Sequence, residues 1–295
     1  MFQKPQFAEN RRSQAQVIEQ LESVVGAPVR LELLKQKTGR RATYRAHGSR
    51  RTAIVKVYES DRASTVATRI FSLSEGPFEP RIPTVWAQSD DMIVLSEIHG
   101  RPLRAAVLAG DKAACHRTGA VLGFWHWYWR DQAPQTLAPH SLAQELELLR
   151  KEAEQAPEPI AEAVAVGLRA VDDDAEWPTA SVIHRDLYEE QIMVGDEVGL
   201  IDIDDAAIGP PELDIGNLCA HLELLGRRYG RNLDEMQRSF LNGYLSSGAP
   251  LELPLLLTCR SLSLLRLACT HRSIELATAH PGSAWPVPDA SVETA

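Results

Sequence analysis

The segment HRDLYEEQIMVGDEVGLIDID, residues 184–204, constrains this chain more than any other part of its sequence. It places Asp186 five residues ahead of Gln191, and it ends in Asp202, which lies between two isoleucines, and Asp204, which follows the second of them. Burying carboxylates beside leucine and isoleucine costs on the order of several kcal/mol unless a cation or hydrogen-bond donors meet them. The segment therefore predicts a polar site inside an apolar fold.

The stretch from Gln191 to Asp202 is typical of a β-hairpin that turns near Gly195. With a two-residue turn at 196–197, Gln191 faces Asp202; with a three-residue turn that includes Gly195, the pairing shifts by one and the two stay neighbours. An amide oxygen and a carboxylate are ligands that Mg²⁺ accepts, and water and substrate phosphates complete its shell. The hairpin predicts a magnesium site at Gln191 and Asp202, with Asp186 just upstream.

The alternative is an ordinary hairpin whose acidic residues cap turns and face solvent. Strand alternation, however, puts Asp202 on one face with Leu200 and Asp204. A wholly solvated face accounts poorly for that set, so the pattern favours the metal site.

The N-terminal third of the sequence predicts an antiparallel sheet, because short β-branched and aromatic runs alternate with turn-forming residues. The five runs are VRLELL, ATYRAHG, RTAIVKVYE, TVWAQ and MIVLSEI. Apolar residues at helical spacing predict helices over 11–25 and 61–73. We expect residues 1–98 to form a small lobe with five strands and a helix.

The remaining sequence predicts a larger, mainly helical lobe over residues 99–280. The helical ranges are 103–108, 113–129, 141–170 and, after 213, helices to about 279. Residues 181–204 are the one convincing β segment in this half. The Pro-, Ala- and Ser-rich tail, 281–295, is predicted to be disordered. The fold class is α+β with two lobes.

Composition excludes several classes of protein. The formal net charge of −9 argues against a nucleic-acid partner, which requires a basic face. The four cysteines are scattered without a C-x-x-C pair, which predicts buried thiols rather than zinc ligands or disulfides. The N-terminus is unlike a signal peptide, and no run approaches the ~18 apolar residues that a membrane span needs. We expect a cytoplasmic protein without a membrane partner.

The site segment resembles the aminoglycoside phosphotransferase and choline kinase family of small-molecule kinases, which share the protein-kinase-like bilobal fold. The family's catalytic stretch reads roughly H-G-D-x-x-x-x-N, then a hairpin ending in I-D, then G-D-P-x-x-D-[IL]. HRDLYEEQ and LIDIDDAAIGPPELDIGNL follow that order. Earlier in the chain, AIVKVY looks like the strand that carries the nucleotide lysine, and VLSEIHGRPL looks like the hinge.

The resemblance implies roles in phosphoryl transfer for residues of the larger lobe. Asp186 matches the catalytic aspartate, which orients the acceptor hydroxyl and receives its proton. Gln191 and Asp202 match the two ligands that hold Mg²⁺ against the nucleotide phosphates. Asp214 matches the aspartate that braces the catalytic loop, or caps the helix starting near 215, and His184 matches a residue that supports the loop.

For the N-terminal lobe the resemblance implies nucleotide binding, with ATP (or GTP) as co-substrate. Lys56 matches the lysine that contacts the α- and β-phosphates, whereas a strand-edge lysine in solvent is its alternative. Ser96 and Ile98 match hinge positions whose backbone groups bind adenine.

The sequence departs from the family pattern in three places. Gln191 stands where the family has asparagine, and the loop KQKTGRRATYR has a single glycine. The helix predicted at 61–73 has no glutamate to pair with Lys56, which leaves Glu75 or Glu79. A nucleotide-binding regulator with little catalytic activity is therefore the alternative function. A protein kinase fits worse, because D-F-G and A-P-E sequences are missing.

The acceptor implied by the resemblance is a small hydroxylated molecule such as an aminoglycoside, a sugar or an amino alcohol. Glu189, Glu190 and Glu223 either attract a cationic acceptor or are surface acids, and surface acids are the favoured interpretation. The aromatic run at 124–129 predicts helix packing rather than a substrate cage.

Overall fold

The structure is a computed structural model that describes residues 14–171, 175–178 and 180–279. The described residues form two compact units, the first from those up to 75 together with 82–98 and the second from 76–81 together with those from 99 onward. Its antiparallel N-terminal sheet and helical C-terminal region confirm the predicted α+β class. The lobe boundaries at 98 and 280 stay predictions, and the tail 281–295 lies outside the described residues.

The first unit contains a five-stranded sheet in which every neighbouring pair is antiparallel. The strands, which pair in the order β1-β2-β3-β5-β4, are β1 (Arg30–Lys37), β2 (Arg41–His47), β3 (Thr52–Tyr58), β4 (Val85–Gln88) and β5 (Met92–Ser96). Helix α1 (Gln14–Val25) precedes the sheet, and α2 (Arg62–Leu73) joins β3 to β4. The five predicted strands and both helices are confirmed.

Helix α1 covers one face of this sheet. Its apolar stripe, Val17, Leu21 and Val25, is fully buried and recurs every fourth residue, which places it on one side of the helix. The strands meet it with alternate side chains, which are Ala42, Tyr44, Ala46, Ala53, Val55, Val57, Met92 and Val94. Strand alternation therefore assigns Lys56 to the opposite face of the sheet.

The second unit is mainly helical. Its helices are α3 (Leu103–Ala109), α4 (Lys112–Trp129), α5 (Leu142–Ala153), α6 (Glu158–Leu168), α7 (Pro211–Tyr229), α8 (Asp234–Ser246), α9 (Leu253–His271) and α10 (Ile274–Ala277). Its strands are β6 (Arg101–Pro102), β7 (Ser181–Ile183), β8 (Ile192–Val194), β9 (Val198–Leu200) and β10 (Ala207–Gly209). Strands β6, β8 and β9 form one small sheet, and β7 pairs with β10.

Two expectations for this unit were wrong. The predicted helix over 141–170 is two helices, because α5 ends at Ala153 and α6 starts only after Pro157. Proline has no N–H to donate to the preceding turn, so the first helix cannot run through it. Residues 181–204 are also not the only β segment, because β6 and β10 are strands of two and three residues, too short for a periodic signal.

Helices α4 and α8 pack closely through glycines. A Cβ on Gly119 would collide with the carbonyl of Phe240, and one on Gly243 would collide with the carbonyl of His116. The two backbones therefore approach more closely than larger side chains allow. This contact brings His126 of α4 beside Tyr244 of α8.

The aromatic run on α4 is core on one side only. Trp125 and Trp129 are 2% and 3% exposed, whereas Phe124 and Trp127 are 44% and 50% exposed and stack on each other. The prediction of helix packing is confirmed for the first pair and wrong for the second. Helical periodicity explains the split, because the two pairs lie on different sides of α4.

No run of ~18 apolar residues was expected, yet one helix is long and apolar enough on average to count as a candidate membrane span. Among the described residues, helix α9 alone passes by length and composition, but 56% of the tested window is buried within the protein. Its buried residues include the charged Arg260. A core helix of a globular protein passes the same test.

The prediction of buried, free cysteines is confirmed. Burial raises the pKa of the Cys115 and Cys219 thiols to about 12, so both stay protonated and unreactive near neutral pH.

Candidate functional site

The loop that carries Asp186 is fixed at its start by one carboxylate. Asp214, in the first turn of α7, accepts hydrogen bonds from the backbone N–H groups of His184 and Arg185, at 2.6 and 2.8 Å. Arg185 has a φ of +72°, and Asp186 follows it as an exposed residue. The loop brace expected of Asp214 is present, whereas the cap is not, because α7 begins at Pro211.

Asp214 is held in turn by a buried histidine. The Nε2 of His126 lies 3.3 Å from Asp214 Oδ2, and its Nδ1 lies 3.0 Å from the hydroxyl of Tyr244. A carboxylate only accepts, so Nε2 carries the proton and, in the neutral ring, Nδ1 accepts from the tyrosine. Burial raises the pKa of Tyr244 well above its usual value, which keeps the hydroxyl protonated as a donor. Sequence reasoning missed this series of hydrogen bonds, because His126 lies in an aromatic run without a motif.

His184 connects the loop to the strand that leads to Asp202. Its Nε2 donates to the carbonyl of Ile201 at 2.9 Å, and its side chain is fully buried. Because the proton is used in that bond, the ring acts as a structural link. The supporting role expected of His184 agrees with this geometry.

The hairpin after the loop turns through three residues, 195–197. Val194 lies opposite Val198, and the N–H of Gly195 donates to the carbonyl of Glu197 at 3.1 Å. Arg117 of α4 donates to two carbonyls of the turn. Of the two registers that the sequence allows, the protein therefore has the one shifted by a residue.

This register keeps Gln191 and Asp202 together, as expected for either turn. Ile201 N–H donates to the carbonyl of Gln191 at 2.9 Å, and Gln191 Nε2 donates to Asp202 Oδ2 at 3.3 Å. Gln191 is 4% exposed and Asp202 is half-buried. An amide oxygen and a carboxylate therefore lie side by side, and both are hard oxygen donors that suit Mg²⁺.

The chain leaves the strand before Asp202. This residue has a φ of +62°, and a single 3₁₀ turn, Ile203–Asp205, follows. The expectation that Asp202 and Asp204 share one strand face was wrong, because two-residue alternation holds only in extended backbone. Asp204 is 2% exposed. Among the described residues, no group of three or more His, Cys, Asp or Glu side chains could hold a metal ion.

The favoured interpretation of the acidic residues near the loop as surface acids was wrong for Glu189. Glu189 is 7% exposed, and burial raises its pKa to about 7. Its Oε2 lies 3.9 Å from Nδ1 of His221, whose pKa burial lowers to about 3, so this contact is no ion pair. Glu190 pairs with Arg104 at 2.5 Å, and the half-buried Glu223 pairs with Arg260.

In the first unit, Lys56 lies on the central strand β3, between Thr43 of β2 and Ile93 of β5. It is 5% exposed, so the alternative of a strand-edge lysine in solvent was wrong. A lysine is rarely buried this far unless an anion or a hydrogen-bond acceptor meets it.

The helix that follows β3 offers no carboxylate partner for this lysine. Its buried residues are Ala63, Val66, Ala67, Ile70 and Leu73. Thr68 is exposed and donates its hydroxyl to the carbonyl of Ser64. Glu79, one of the two expected replacements, belongs to the second unit and pairs with Arg117 at 3.1 Å.

Ser96 ends β5, opposite Ala53 of β3. Its N–H donates to the carbonyl of Thr84 at 2.9 Å, and its hydroxyl accepts from the N–H of Thr84 at 2.7 Å. Ile98 is the last residue of the first unit, two residues beyond the strand.

The six expected site residues thus fall into two groups. Asp186, Gln191 and Asp202 lie together in the second unit, and Lys56, Ser96 and Ile98 lie on β3 and at the end of β5 in the first unit. An antiparallel sheet with a buried lysine, and a helical region with an aspartate loop and an oxygen-donor hairpin, are the features expected of the protein-kinase-like fold.

The chain belongs to the phosphotransferase enzyme family APH, whose family model matches residues 33–251, more than half of the sequence. This match confirms the resemblance found at the site segment. A comparison with curated proteins found no match.

Solved structures of small-molecule kinases are similar to this chain throughout. The choline kinase LicA from Streptococcus pneumoniae has a TM-score of 0.64 at 16% identity, with 92% of each chain covered. A streptomycin–ATP–APH(2")-IIa ternary complex has a TM-score of 0.62 at 16% identity, covering 91% of this chain and 96% of the other. The amicoumacin kinase hAmiN, with AMP-PNP and Ca²⁺, has a TM-score of 0.65 at 14% identity, covering 88% and 86%. These similarities establish the fold.

Proposed function

We propose that the protein is an ATP-dependent phosphotransferase that moves the γ-phosphate to a hydroxyl group of a small molecule. The observation that carries the proposal is the arrangement around Asp186. This carboxylate is exposed, while Asp214 binds the two backbone N–H groups just before it and the same loop leads to the Gln191–Asp202 pair.

In the proposed reaction Asp186 orients the acceptor hydroxyl and takes its proton as the oxygen attacks the γ-phosphorus, and the bond from that phosphorus to the β-phosphate oxygen breaks to release ADP. Phosphoryl transfer depends mainly on positioning and charge stabilisation, because the transition state needs little covalent help from the protein. A carboxylate on a rigid loop meets that requirement. His184 is not a candidate base, because its ring is fully buried and its Nε2–H is bonded to the carbonyl of Ile201.

Gln191 and Asp202 fit a magnesium ion by donor type and number. Mg²⁺ uses one or two protein carboxylates and keeps waters and phosphate oxygens in its shell. Because Gln191 Nε2 donates a hydrogen bond to Asp202, the glutamine Oε1 is the atom that would bind the cation. The ion would neutralise charge on the nucleotide phosphates.

For the nucleotide we propose Lys56 at the phosphates, and the Ser96 carbonyl and the Ile98 backbone at the base. ATP is the favoured co-substrate, and GTP is the alternative. The burial of Lys56 on a central strand supports its role, because an anion that binds there compensates the cost of burying the ammonium group.

The acceptor is proposed to be a small hydroxylated molecule such as an aminoglycoside, a sugar or an amino alcohol. The similar structures include a choline kinase, an amicoumacin kinase and a complex with streptomycin. Glu190 and Glu223 are engaged by arginines, so they do not favour a cationic acceptor over a neutral one. We propose a cytoplasmic enzyme without nucleic-acid or membrane partners, in keeping with the net charge of −9.

A screen of aminoglycosides, sugars and amino alcohols for ATP consumption tests the proposal, with Mg²⁺ present and Asp186→Asn as the control. Turnover by the wild type that is lost in the variant supports it. Calorimetry without any Mg²⁺-dependent nucleotide binding would refute it.

The second candidate is a nucleotide-binding regulator, which the longer side chain of Gln191 favours. A regulator binds Mg²⁺–ATP in calorimetry but shows no turnover with any acceptor. The variant Gln191→Asn separates the two candidates further. Turnover that appears only in this variant would indicate that the glutamine had disabled an otherwise complete site.

A further inference from the structure

The middle of the catalytic loop is held by a second, separate set of buried side chains. Asn217 of α7 is fully buried, and its Nδ2 donates to the carbonyl of Leu187 at 2.8 Å. Leu187 is the residue directly after Asp186. The loop is therefore fixed on both sides of the exposed carboxylate, by Asp214 before it and by Asn217 after it.

A cation sets the orientation of the Asn217 amide. Arg266 of α9 donates from Nη2 to Asn217 Oδ1 at 2.6 Å. The two ends of an amide have nearly the same shape, and only hydrogen bonding decides which end faces which partner. Because the guanidinium only donates, it binds the oxygen end and directs the NH₂ end at Leu187.

Arg266 is itself held by a buried carboxylate on a different helix. Its Nη1 lies 3.3 Å from Oε1 of Glu145, whose Oε2 lies 2.9 Å from Nε2 of His140. Burial by itself would raise the pKa of Glu145, but the His140 hydrogen bond and the Arg266 charge lower it overall. The carboxylate therefore stays charged at neutral pH and anchors the guanidinium.

We propose that Arg266 is a positioning residue for phosphoryl transfer, which acts on Asp186 through the Asn217 amide and the Leu187 carbonyl. This inference rests on the proposed function of Asp186. The proposed role does not include binding of the nucleotide or the acceptor by Arg266. Without the arginine, the buried Oδ1 of Asn217 loses its donor, so the amide is no longer held from both ends in the orientation that donates to the Leu187 carbonyl.

The test compares amide hydrogen exchange in the loop 184–191 between the wild type and Arg266→Met. We expect exchange in this loop to become at least about tenfold faster than the change in overall stability alone would produce, because a local contact is lost. The matched control is Arg260→Met. Arg260 is the second arginine of α9 that pairs with a carboxylate, and it contacts Glu223.

Two further variants keep the test decisive if Arg266→Met is poorly folded. Arg266→Lys keeps the charge but lacks the planar fork, so we expect exchange between that of the wild type and that of the methionine variant. Asn217→Asp keeps an acceptor for Arg266 but cannot donate to Leu187, so it should expose the loop while leaving the arginine in place.

Kinetics supply the second measurement, once an acceptor is found. Misplacing Asp186 should lower kcat by about tenfold to a hundredfold in Arg266→Met, with the KM for ATP within about twofold of the wild type. Arg260→Met should keep its kcat.

Loop exchange that is equal in Arg266→Met and Arg260→Met, after correction for stability, would overturn the positioning role. A raised KM for ATP with an unchanged kcat would also overturn the positioning role. A wild type without phosphotransfer would refute the proposed function, while the exchange comparison would still decide whether Arg266 orders the loop.

Discussion

The two units fix their candidate site residues by different means. Lys56 lies on a strand with a hydrogen-bonded neighbour on each side, so backbone pairing sets its position whatever its side chain is. Asp186 lies on an irregular loop whose backbone is bound by the side chains of Asp214 and Asn217. The second arrangement depends on single side chains rather than on backbone pairing, so substitutions away from Asp186 should matter far more in the helical unit.

The largest effect on activity is expected at Asp186, the residue that the supported loop carries. Asp186→Asn keeps the shape of the loop but removes the proton acceptor, so kcat should fall by about a thousandfold. Nucleotide affinity, measured by calorimetry with Mg²⁺, should stay nearly unchanged. Undiminished turnover would move the chemistry to another residue.

Lys56→Met tests the same comparison in the N-terminal unit, where the site residue lies on a strand. Loss of the ammonium group should reduce kcat/KM by about a hundredfold, because a charge that faces developing phosphate charge is removed. The midpoint of urea unfolding should change less than in Asp214→Ala, since the backbone pairing of β3 with β2 and β5 does not depend on this side chain. A large loss of stability would show that the sheet depends on this side chain after all.

Asp214→Ala should instead destabilise the protein, by about 2–4 kcal/mol, because two backbone N–H groups and His126 lose a buried partner. Urea unfolding measures the change. The exposed Asp196, in the hairpin turn, provides the matched control as Asp196→Ala, which should change stability by less than about 0.5 kcal/mol. Equal effects would remove the distinction between a supporting and a surface carboxylate.

The pH dependence of stability should reveal the second loop support. The pKa of Glu145 is lowered below its usual 4.5 in the folded protein, so its contribution is present above that pH and disappears as the pH falls through the folded value. The stability difference between the wild type and Glu145→Gln should therefore narrow as the pH drops from about 5 towards 3. A constant difference would mean that the charge of Glu145 contributes nothing.

The smallest effect is expected for Gln191→Asn. The shorter side chain keeps the amide oxygen, so the Mg²⁺ concentration for half-maximal activity should change by less than about tenfold, with little effect on stability. Titration of activity with Mg²⁺ measures this. Complete loss of activity would show that the hairpin is built around the longer side chain.

Local patterns in the sequence predicted the fold well. The five strands of the first unit and the hairpin were readable because pairing between neighbouring strands depends on short-range alternation and turns. The same reasoning missed β6 and β10, which are too short to show a period, and merged α5 with α6 across Pro157. It also predicted that Glu189 is a surface acid. This was wrong because the burial of a loop residue depends on which helices cover the loop, and local patterns do not show that.

By itself the sequence determined that Gln191 and Asp202 are neighbours, because both possible turns of one hairpin bring them together. Only the tertiary structure decided which register occurs, and there Arg117 of a distant helix binds the turn. It also decided that His126 and Arg266 support the loop from helices α4 and α9. These contacts join residues far apart in the chain, and helix packing, which no local period encodes, brings them together.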